Sequence, residues 1–334
     1  MPFIDVPALE SHAKFESLHN QQPASKEGSD NTTRVTHLTR HLQDEDLLGL
    51  IDRYTRTKKF PLPENRLLVN PFNNACTNPR KRFWEPVADL SGVAITAALE
   101  WKFTAKLTVF GSVSGSVSRS VDDIPEDERA VWFAEQAARY EAEESGYKSR
   151  WMQMRKQQRG RFSWLVNHLD RGVDRLAGEV IQEGKIETKD LQFEYRLISS
   201  ITTPVTSGDK PITLVGRADI VFDPKDGERA TIWEIKLVKS LQRTHVAQLV
   251  QYGWLWANSH PNAPFPRLLL FNLRDGERWE IFTTKSEAQE FVVGLFRAKR
   301  MPTKLTDEEF RRQCEKTSDE ARAIIDRLPL TTKA

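Results

Sequence analysis

Apolar residues alternate with polar ones or form short runs in five segments of the second half of the chain. These segments are rich in β-branched and aromatic residues, which predicts β-strands at residues 191–198, 213–222, 230–238, 267–273 and 278–282. Helical spacing instead predicts helices at residues 242–257 and 286–299, and a capping box at Ser286 and Gln289 opens the second. A further helix, with a break, is predicted between residues 147 and 181. This succession of helices and strands indicates an α/β core of about 150 residues.

The first half of the chain has weaker patterns. Leucine and isoleucine spacing predicts a helix at residues 39–56, and proline and asparagine predict a loop at residues 69–82. Residues 93–110 are rich in β-branched and aromatic side chains, which predicts one or two strands. Residues 111–119 are rich in serine, valine and glycine, and this leaves open a flexible linker or an edge strand. Proline followed by three acidic residues opens a predicted helix at residues 125–144.

These patterns divide the chain into four parts. Residues 1–33 form a polar flexible arm, and residues 34–145 an N-terminal accessory region of unknown role. Residues 146–303 hold the α/β core, and residues 304–334 a C-terminal helical tail. No internal repeat is present in the sequence.

Composition narrows the class of protein. The chain has 334 residues, 39% hydrophobic and 29% charged, so it can bury a core and is not wholly disordered. Its apolar runs are far shorter than the ~20 residues that span a bilayer, so we expect no membrane partner. The N-terminus lacks an apolar stretch, and Cys76 and Cys314 are too few for a disulfide framework. We therefore expect an intracellular protein, in the cytoplasm or nucleus, with a mitochondrial location left open.

Charge is uneven along the chain. The net charge is +2, but residues 145–305 carry 26 Lys and Arg against 18 Asp and Glu, a local surplus of +8. Such a surplus permits a polyanionic partner without establishing one.

One segment carries a recognisable arrangement of charged residues. A predicted strand ends in Gly216-Arg-Ala-Asp219, a turn follows, and the next strand contains Trp233-Glu234-Ile235-Lys236. Because side chains alternate along a strand, Glu234 and Lys236 share one face and Ile235 points into the core. Pairing of the two strands can bring Asp219 beside Glu234, and two carboxylates at one point form a hard oxygen site suited to Mg²⁺ or Mn²⁺. The alternative is an ordinary amphipathic hairpin with solvated charges.

The helix after this strand strengthens the first interpretation, because Gln248 and Tyr252 lie four residues apart on one face. A strand-end Asp, a Glu-x-Lys strand and a Gln-x-x-x-Tyr helix together resemble the RecB-like exonuclease branch of the PD-(D/E)xK nuclease superfamily. The resemblance covers roughly residues 160–300, nearly half the chain. One departure is Ala218, which stands where the superfamily name has proline; many RecB-like members also lack the proline and have Gly-x-x-Asp, as here.

The resemblance implies a restriction-endonuclease-like fold, in which a central mixed sheet lies between two helical layers. It also implies that Asp219, Glu234 and the backbone carbonyl of Ile235 hold the metal. Lys236 would assist the attacking water, and Gln248 and Tyr252 would line the DNA path beside the metal.

Two residues outside these motifs are further candidates on the same resemblance. His168 lies on a predicted helix ahead of the sheet, where relatives often supply a metal ligand, although a lone helical histidine is usually structural. Glu194 lies with Gln192 and Arg196 on the polar face of the strand at residues 191–198, where many relatives have a glutamate. A solvated carboxylate is the alternative for Glu194.

A basic run without acidic residues extends over residues 148–161 and includes Arg155, Lys156 and Arg159. Such a run is either a solvated face or a surface that contacts nucleic-acid phosphates. Trp254 and Trp256 are expected to pack in the core. Two cysteines cannot build the four-cysteine iron–sulfur cluster of several RecB-like exonucleases, so we expect none.

The sequence therefore predicts a metal-dependent deoxyribonuclease that hydrolyses phosphodiester bonds and acts as an exonuclease on single strands or ends. One alternative is a catalytically silent nucleic-acid-binding or assembly module that kept the fold. The other is an RNA-directed nuclease with the same core. The sequence identifies no protein partner.

Overall fold

The computed structural model describes residues 32–39, 42, 44–63, 75–78, 83–85, 88–110, 121–144, 162–166, 168–182, 188–201, 211–224, 228–300 and scattered positions between 308 and 322. Within these ranges the strands are β1 (Thr32–Arg34), β2 (Arg56–Lys59), β3 (Ala75–Asn78), β4 (Phe83–Glu85), β5 (Leu191–Ile201), β6 (Ile212–Phe222), β7 (Thr231–Lys236), β8 (Arg267–Asn272) and β9 (Glu277–Phe282). The α-helices are α1 (Val35–Thr39), α2 (Asp44–Tyr54), α3 (Ala88–Thr104), α4 (Glu126–Glu144), α5 (Ser163–Val166), α6 (Leu169–Gln182), α7 (Arg243–Ser259) and α8 (Lys285–Arg300).

A seven-stranded mixed sheet forms the centre of the molecule. Along its main path the strands run in the order β1, β6, β7, β8, β9 and β2, and β5 pairs with the opposite edge of β6. The β1–β6 and β7–β8 pairs are parallel, and the β5–β6, β6–β7, β8–β9 and β2–β9 pairs are antiparallel. Strands β3 and β4 form a separate two-stranded sheet. All five strands predicted for the second half of the chain are present, within a few residues of their predicted ends.

Helices cover both faces of the large sheet. Helices α3, α4 and α6 enclose one hydrophobic cluster, which includes the fully buried Trp233 of β7. Helices α1, α2, α7 and α8 enclose a second cluster on the other face, in which Trp254 and Trp256 are buried as predicted. The three-layer α/β core with a central mixed sheet is thus confirmed.

The segment ahead of residue 146 contributes directly to this core. Strands β1 and β2 pair with β6 and β9, and α2 packs on α8. The predicted flexible arm thus ends in two residues of β1, Thr32 and Thr33, and the region assigned an accessory role supplies β2 and α2.

The prediction of strands at residues 93–110 is wrong. Residues 93–104 form most of α3, which is buried on nearly every side between the sheet, α4 and α6. A helix that is apolar all round has no amphipathic period, so β-branched residues such as Val93 and Ile95 made the segment resemble strands. Burial of small residues, among them Ala94 and Ala97, stabilises the helix despite that composition.

Two smaller expectations also need correction. Strand β3 lies inside residues 69–82, which were predicted to be loop. The capping box of α8 lies two residues earlier than predicted: Thr284 donates its N–H to Glu287 Oε2 at 2.8 Å, and Glu287 donates its N–H to Thr284 Oγ1 at 3.2 Å. Gln289 instead accepts a hydrogen bond from the indole N–H of Trp254. The proposed linker at residues 111–119 lies outside the described residues.

No helix in the described part of the chain combines the length and the apolar character that crossing a membrane requires.

Candidate active site

Asp219 and Glu234 lie close together at a point where one edge of β6 stops pairing with β1 and has not yet begun to pair with β7. Strand β1 pairs with β6 as far as Val215, and β7 pairs with β6 from Ile220 onward. The four residues between, Gly216 to Asp219, have no strand partner on that edge within the described chain. Asp219 fills this gap, because its Oδ2 accepts the backbone N–H of Ile235 at 2.6 Å.

That hydrogen bond brings Asp219 to the middle of the Glu-x-Lys strand. Ile235 packs in the cluster beneath α3 and α6, as the alternation predicted, so Glu234 and Lys236 face the opposite layer. The ammonium of Lys236 pairs with Glu234 Oε1. Glu234 is only 1% exposed, and its Oε2 is buried without a hydrogen-bond partner among the described residues. A buried carboxyl oxygen of this kind is a position where a cation would be stabilising.

Glu194 joins this group from β5, directly across β6. Its backbone has a φ of 50°, and the pairing between Glu194 and Asp219 is missing from an otherwise continuous ladder. The strand changes sides at this point: Phe193 packs beneath α3 and α6, whereas Leu197 packs beneath α7. A regular strand would keep residues four apart on one face, so the left-handed residue reorients Glu194. The simple alternation predicted for this strand is therefore broken at the candidate site.

The three carboxyl groups share one electrostatic environment. Burial, reinforced by the charge of Asp219, raises the pKa of Glu234 to about 8, against the opposing influence of Lys236. Burial and the charges of Asp219 and Glu234 likewise raise the pKa of Glu194 to about 8, although Arg217 opposes the shift. Burial also raises the pKa of Asp219, although Lys236 and the Ile235 N–H favour its ionised form. Below pH 8 Glu194 and Glu234 are therefore mostly protonated, and a bound cation would favour their ionised forms.

Gln248 and Tyr252 lie beside the carboxyl groups on α7. The Gln248 amide donates to the Tyr252 hydroxyl at 2.7 Å, and Tyr252 is 3% exposed. Burial, with the nearby charge of Glu234, raises the pKa of the Tyr252 phenol well above its ordinary value. The ring lies directly over Gly216, where an added Cβ would come within 2.6 Å of Tyr252 Cε1. Tyr252 therefore has a packing role as well as a position beside the site.

His245 lies in the first turn of α7, close enough to Lys236 to be affected by its charge. Its Nδ1 accepts the backbone N–H of Gln242 at 3.1 Å, which places any ring proton on Nε2. Burial, with the charge of Lys236, lowers the pKa of His245 to about 4, so the ring is neutral at physiological pH. His245 was not among the predicted site residues, and its only signal in the sequence is its position three residues before Gln248.

Other predicted site residues are not joined to this group. His168 precedes α6, and its Nδ1 is buried without a hydrogen-bond partner among the described residues. No described interaction links it to the carboxyl groups, so its role stays a prediction. Arg155, Lys156 and Arg159 lie outside the described residues, as does the rest of the basic run.

Besides His245, three residues at the site were not predicted from the sequence. Arg217 lies 3.5 Å from Glu194 and donates to the hydroxyl of Tyr140 on α4 at 3.2 Å. Buried Asn272, at the end of β8, accepts the N–H of Val238 at 3.2 Å and donates to its carbonyl at 3.0 Å, which fixes the chain just beyond the Glu-x-Lys strand. Arg217 belonged to the recognised motif, whereas nothing in the local sequence marked the other two.

The donor set for a cation is small. Within the described ranges, no three His, Cys, Asp or Glu side chains converge in an arrangement that would hold a metal ion by themselves. A cation here would therefore rely on two carboxylates, a backbone carbonyl and water. Mg²⁺ commonly binds through one or two carboxylates and retains several waters.

Comparisons with known proteins add little to this description. No family model matches the sequence. No curated protein matches it either. One solved structure, that of SSO0001, is similar over 47% of this chain and 68% of its own, with 20% identity and a TM-score of 0.27.

Proposed function

We propose that this protein is a metal-dependent nuclease that hydrolyses phosphodiester bonds in DNA. The observation that carries the proposal is the hydrogen bond from the Ile235 N–H to Asp219, which brings Asp219, Glu234 and Lys236 together where β6 and β7 separate. This is the grouping that the RecB-like resemblance requires, and the two strands supply it without any other motif.

The residues at this point fit a hard divalent cation. Asp219 and Glu234 supply carboxyl oxygen atoms, and Glu234 Oε2 has no hydrogen-bond partner among the described residues. Burial raises the pKa values of both groups, and a bound cation would oppose that shift by favouring the carboxylates. Asp219, Glu234 and the carbonyl of Ile235 would hold Mg²⁺ or Mn²⁺, with Glu194 as a further candidate ligand. The bound ion would lower the pKa of a water and offset charge on the phosphate.

The other side chains have roles that follow from their positions. Lys236 already pairs with Glu234, so its ammonium can hold an attacking water or a phosphate oxygen beside the carboxylates. Gln248 and Tyr252 offer an amide and a phenol, which are weak Mg²⁺ ligands but good hydrogen-bond partners for a phosphate or base. We assign them to substrate positioning. Action on single strands or ends follows from the RecB-like resemblance alone.

The experiment is cleavage of labelled single-stranded DNA, double-stranded DNA and RNA by the full chain, with Mg²⁺, with Mn²⁺ and with EDTA. We expect metal-dependent cleavage of DNA. Asp219→Asn and Glu234→Gln should each reduce it by at least about 100-fold while the fold is retained. Arg297→Gln, an exposed change on α8, is the matched control.

Three outcomes would overturn the proposal. Cleavage of RNA but not DNA would make the chain an RNA-directed enzyme. Metal-independent binding of DNA without cleavage would make it a silent binding module. Cleavage at the wild-type rate by both variants would show that the site is assigned wrongly.

A further inference from the structure

A cavity of about 590 Å³ opens beside the candidate active site. Glu194 and Tyr252 form the side nearest the carboxyl groups, and β1 with the first residues of α1 forms another wall. The cavity therefore adjoins the residues to which we assign the chemistry. Its volume lies within the range of about 300–1,000 Å³ that is usual for small-ligand sites.

The cavity is lined by three arginines from three different strands. Arg34 comes from β1, Arg196 from β5 and Arg217 from β6, and the only carboxyl group among the described lining residues is Glu194. Three guanidinium groups and one carboxyl group make the described lining basic. Guanidinium groups bind phosphate oxygens through paired N–H donors, so the lining is suited to a phosphate rather than to a neutral ligand.

Two kinds of phosphate differ in how well they fit this basic lining. An internal phosphodiester carries one negative charge, whereas a phosphomonoester carries about 1.5 to 2 at neutral pH. Thr32, Thr36 and Tyr140 add hydroxyl groups to the same lining, and these can satisfy the additional oxygen atoms of a monoester.

From this lining we infer that the cavity binds the terminal phosphate of a nucleic-acid strand and so selects phosphorylated ends for the adjacent site. This inference rests on the proposed nuclease function and adds a substrate class to it. The strand end would enter between β1 and Tyr252, and the first phosphodiester beyond it would lie toward Glu194 and Asp219.

The test compares three otherwise identical single-stranded DNA oligonucleotides, with a 5′-phosphate, a 3′-phosphate or hydroxyl groups at both ends. Dissociation constants are measured by fluorescence anisotropy with the full-length Glu234→Gln protein, so that binding is observed without turnover. We expect one phosphorylated end to bind at least about 10-fold more tightly than the hydroxyl ends, a ratio that corresponds to about 1.4 kcal/mol. Which end is preferred reveals the polarity.

Substitutions then locate the preference. Arg34→Gln and Arg196→Gln are each added to the Glu234→Gln protein. Each should reduce the ratio of the dissociation constants for hydroxyl-ended and phosphorylated DNA to nearly one. Arg297→Gln, on the exposed surface of α8 and outside this lining, should leave the ratio unchanged. Circular dichroism melting confirms that each variant is folded.

Two results would overturn the inference. Equal affinity for all three oligonucleotides would show that the cavity does not distinguish ends. A preference that survives both arginine substitutions would place the phosphate elsewhere. Failure of the nuclease proposal has a different signature: the end preference persists in binding, but wild-type protein with Mg²⁺ or Mn²⁺ leaves the oligonucleotides uncut.

Discussion

Asp219 Oδ2 accepts the backbone N–H of Ile235 at 2.6 Å and so takes the place of a missing backbone partner between β6 and β7. The same carboxyl group is one of the two proposed to hold the metal. Asp219 therefore has a structural role, as acceptor for the Ile235 N–H, and a proposed chemical role, as metal ligand. Substitutions that keep the shape of its side chain should separate these two roles.

Asp219→Asn keeps an oxygen that can accept the Ile235 N–H, whereas Asp219→Ala leaves that donor unsatisfied in a buried position. Both variants lack the carboxylate, so the difference between their unfolding free energies reports on the hydrogen bond and on the few side-chain atoms that make it. We expect the alanine variant to be less stable than the asparagine variant by about 1–3 kcal/mol of unfolding free energy. Urea denaturation measures this difference. Equal stabilities would show that water satisfies the Ile235 N–H.

The stability of the metal-free protein should depend on pH because the carboxyl pKa values are raised. Glu194 and Glu234 have pKa values of about 8 in the folded chain, above their ordinary value of 4.5. Between pH 4.5 and 8 the unfolded chain has lost protons that the folded chain still holds, so stability falls as pH rises through this window.

Melting temperatures in EDTA, measured from pH 5 to pH 8, test this expectation. Glu234→Gln should make the decline with pH shallower, because the neutral amide does not titrate. Adding Mn²⁺ near pH 8 should raise the melting temperature of the wild type, since the ion binds the ionised folded chain. A wild-type melting temperature that rises across this range would contradict the pKa shifts.

Lys236→Ala should affect chemistry more than binding. Lys236 pairs with Glu234 among the site's carboxyl groups. We therefore expect it to act on the attacking water and not to bind remote phosphates. We expect the rate constant for cleavage to fall at least about 100-fold, with DNA affinity changed less than about threefold. Single-turnover kinetics and anisotropy measure the two quantities. Equal losses of rate and affinity would make Lys236 a phosphate anchor.

Tyr252 combines packing over Gly216 with a hydroxyl near the site, and two substitutions separate these roles. Tyr252→Phe keeps the ring and removes only the group that binds Gln248, so stability should change by no more than about 1.5 kcal/mol. We expect cleavage to slow by about 10-fold without a change in metal affinity. Unchanged cleavage would leave Tyr252 with a packing role alone.

Gly216→Ala should instead disturb the ring, because the new Cβ would come within 2.6 Å of Tyr252 Cε1 and 3.0 Å of Val35 Cγ2. We expect a loss of stability of about 1–3 kcal/mol. Gly178→Ala is the matched control, since its Cβ would meet nothing within 4 Å on α6 and alanine favours a helix. Thermal melting of both variants distinguishes a local clash from a general effect of adding a methyl group.

The sequence alone determined the type and order of the strands and of the last two helices in the second half of the chain. Strands β5 to β9 and helices α7 and α8 follow from local periodicity, because each buries one face or is bounded by turn residues. The same periodicity separated Ile235 from Glu234 and Lys236, and the spacing of Gln248 and Tyr252 placed both on one side of α7.

Only the tertiary structure decided the rest. Helix α3 is enclosed on nearly all sides, so its pattern contained no helical period to recognise. Strand β1 is three residues long, and its pairing with β6 depends on a partner about 180 residues away. The left-handed backbone at Glu194, the Asp219–Ile235 hydrogen bond and the position of Tyr140 likewise join residues that are distant in sequence. Local patterns record which face of an element is buried, but the element that buries it is fixed by contacts that form only when the whole chain packs.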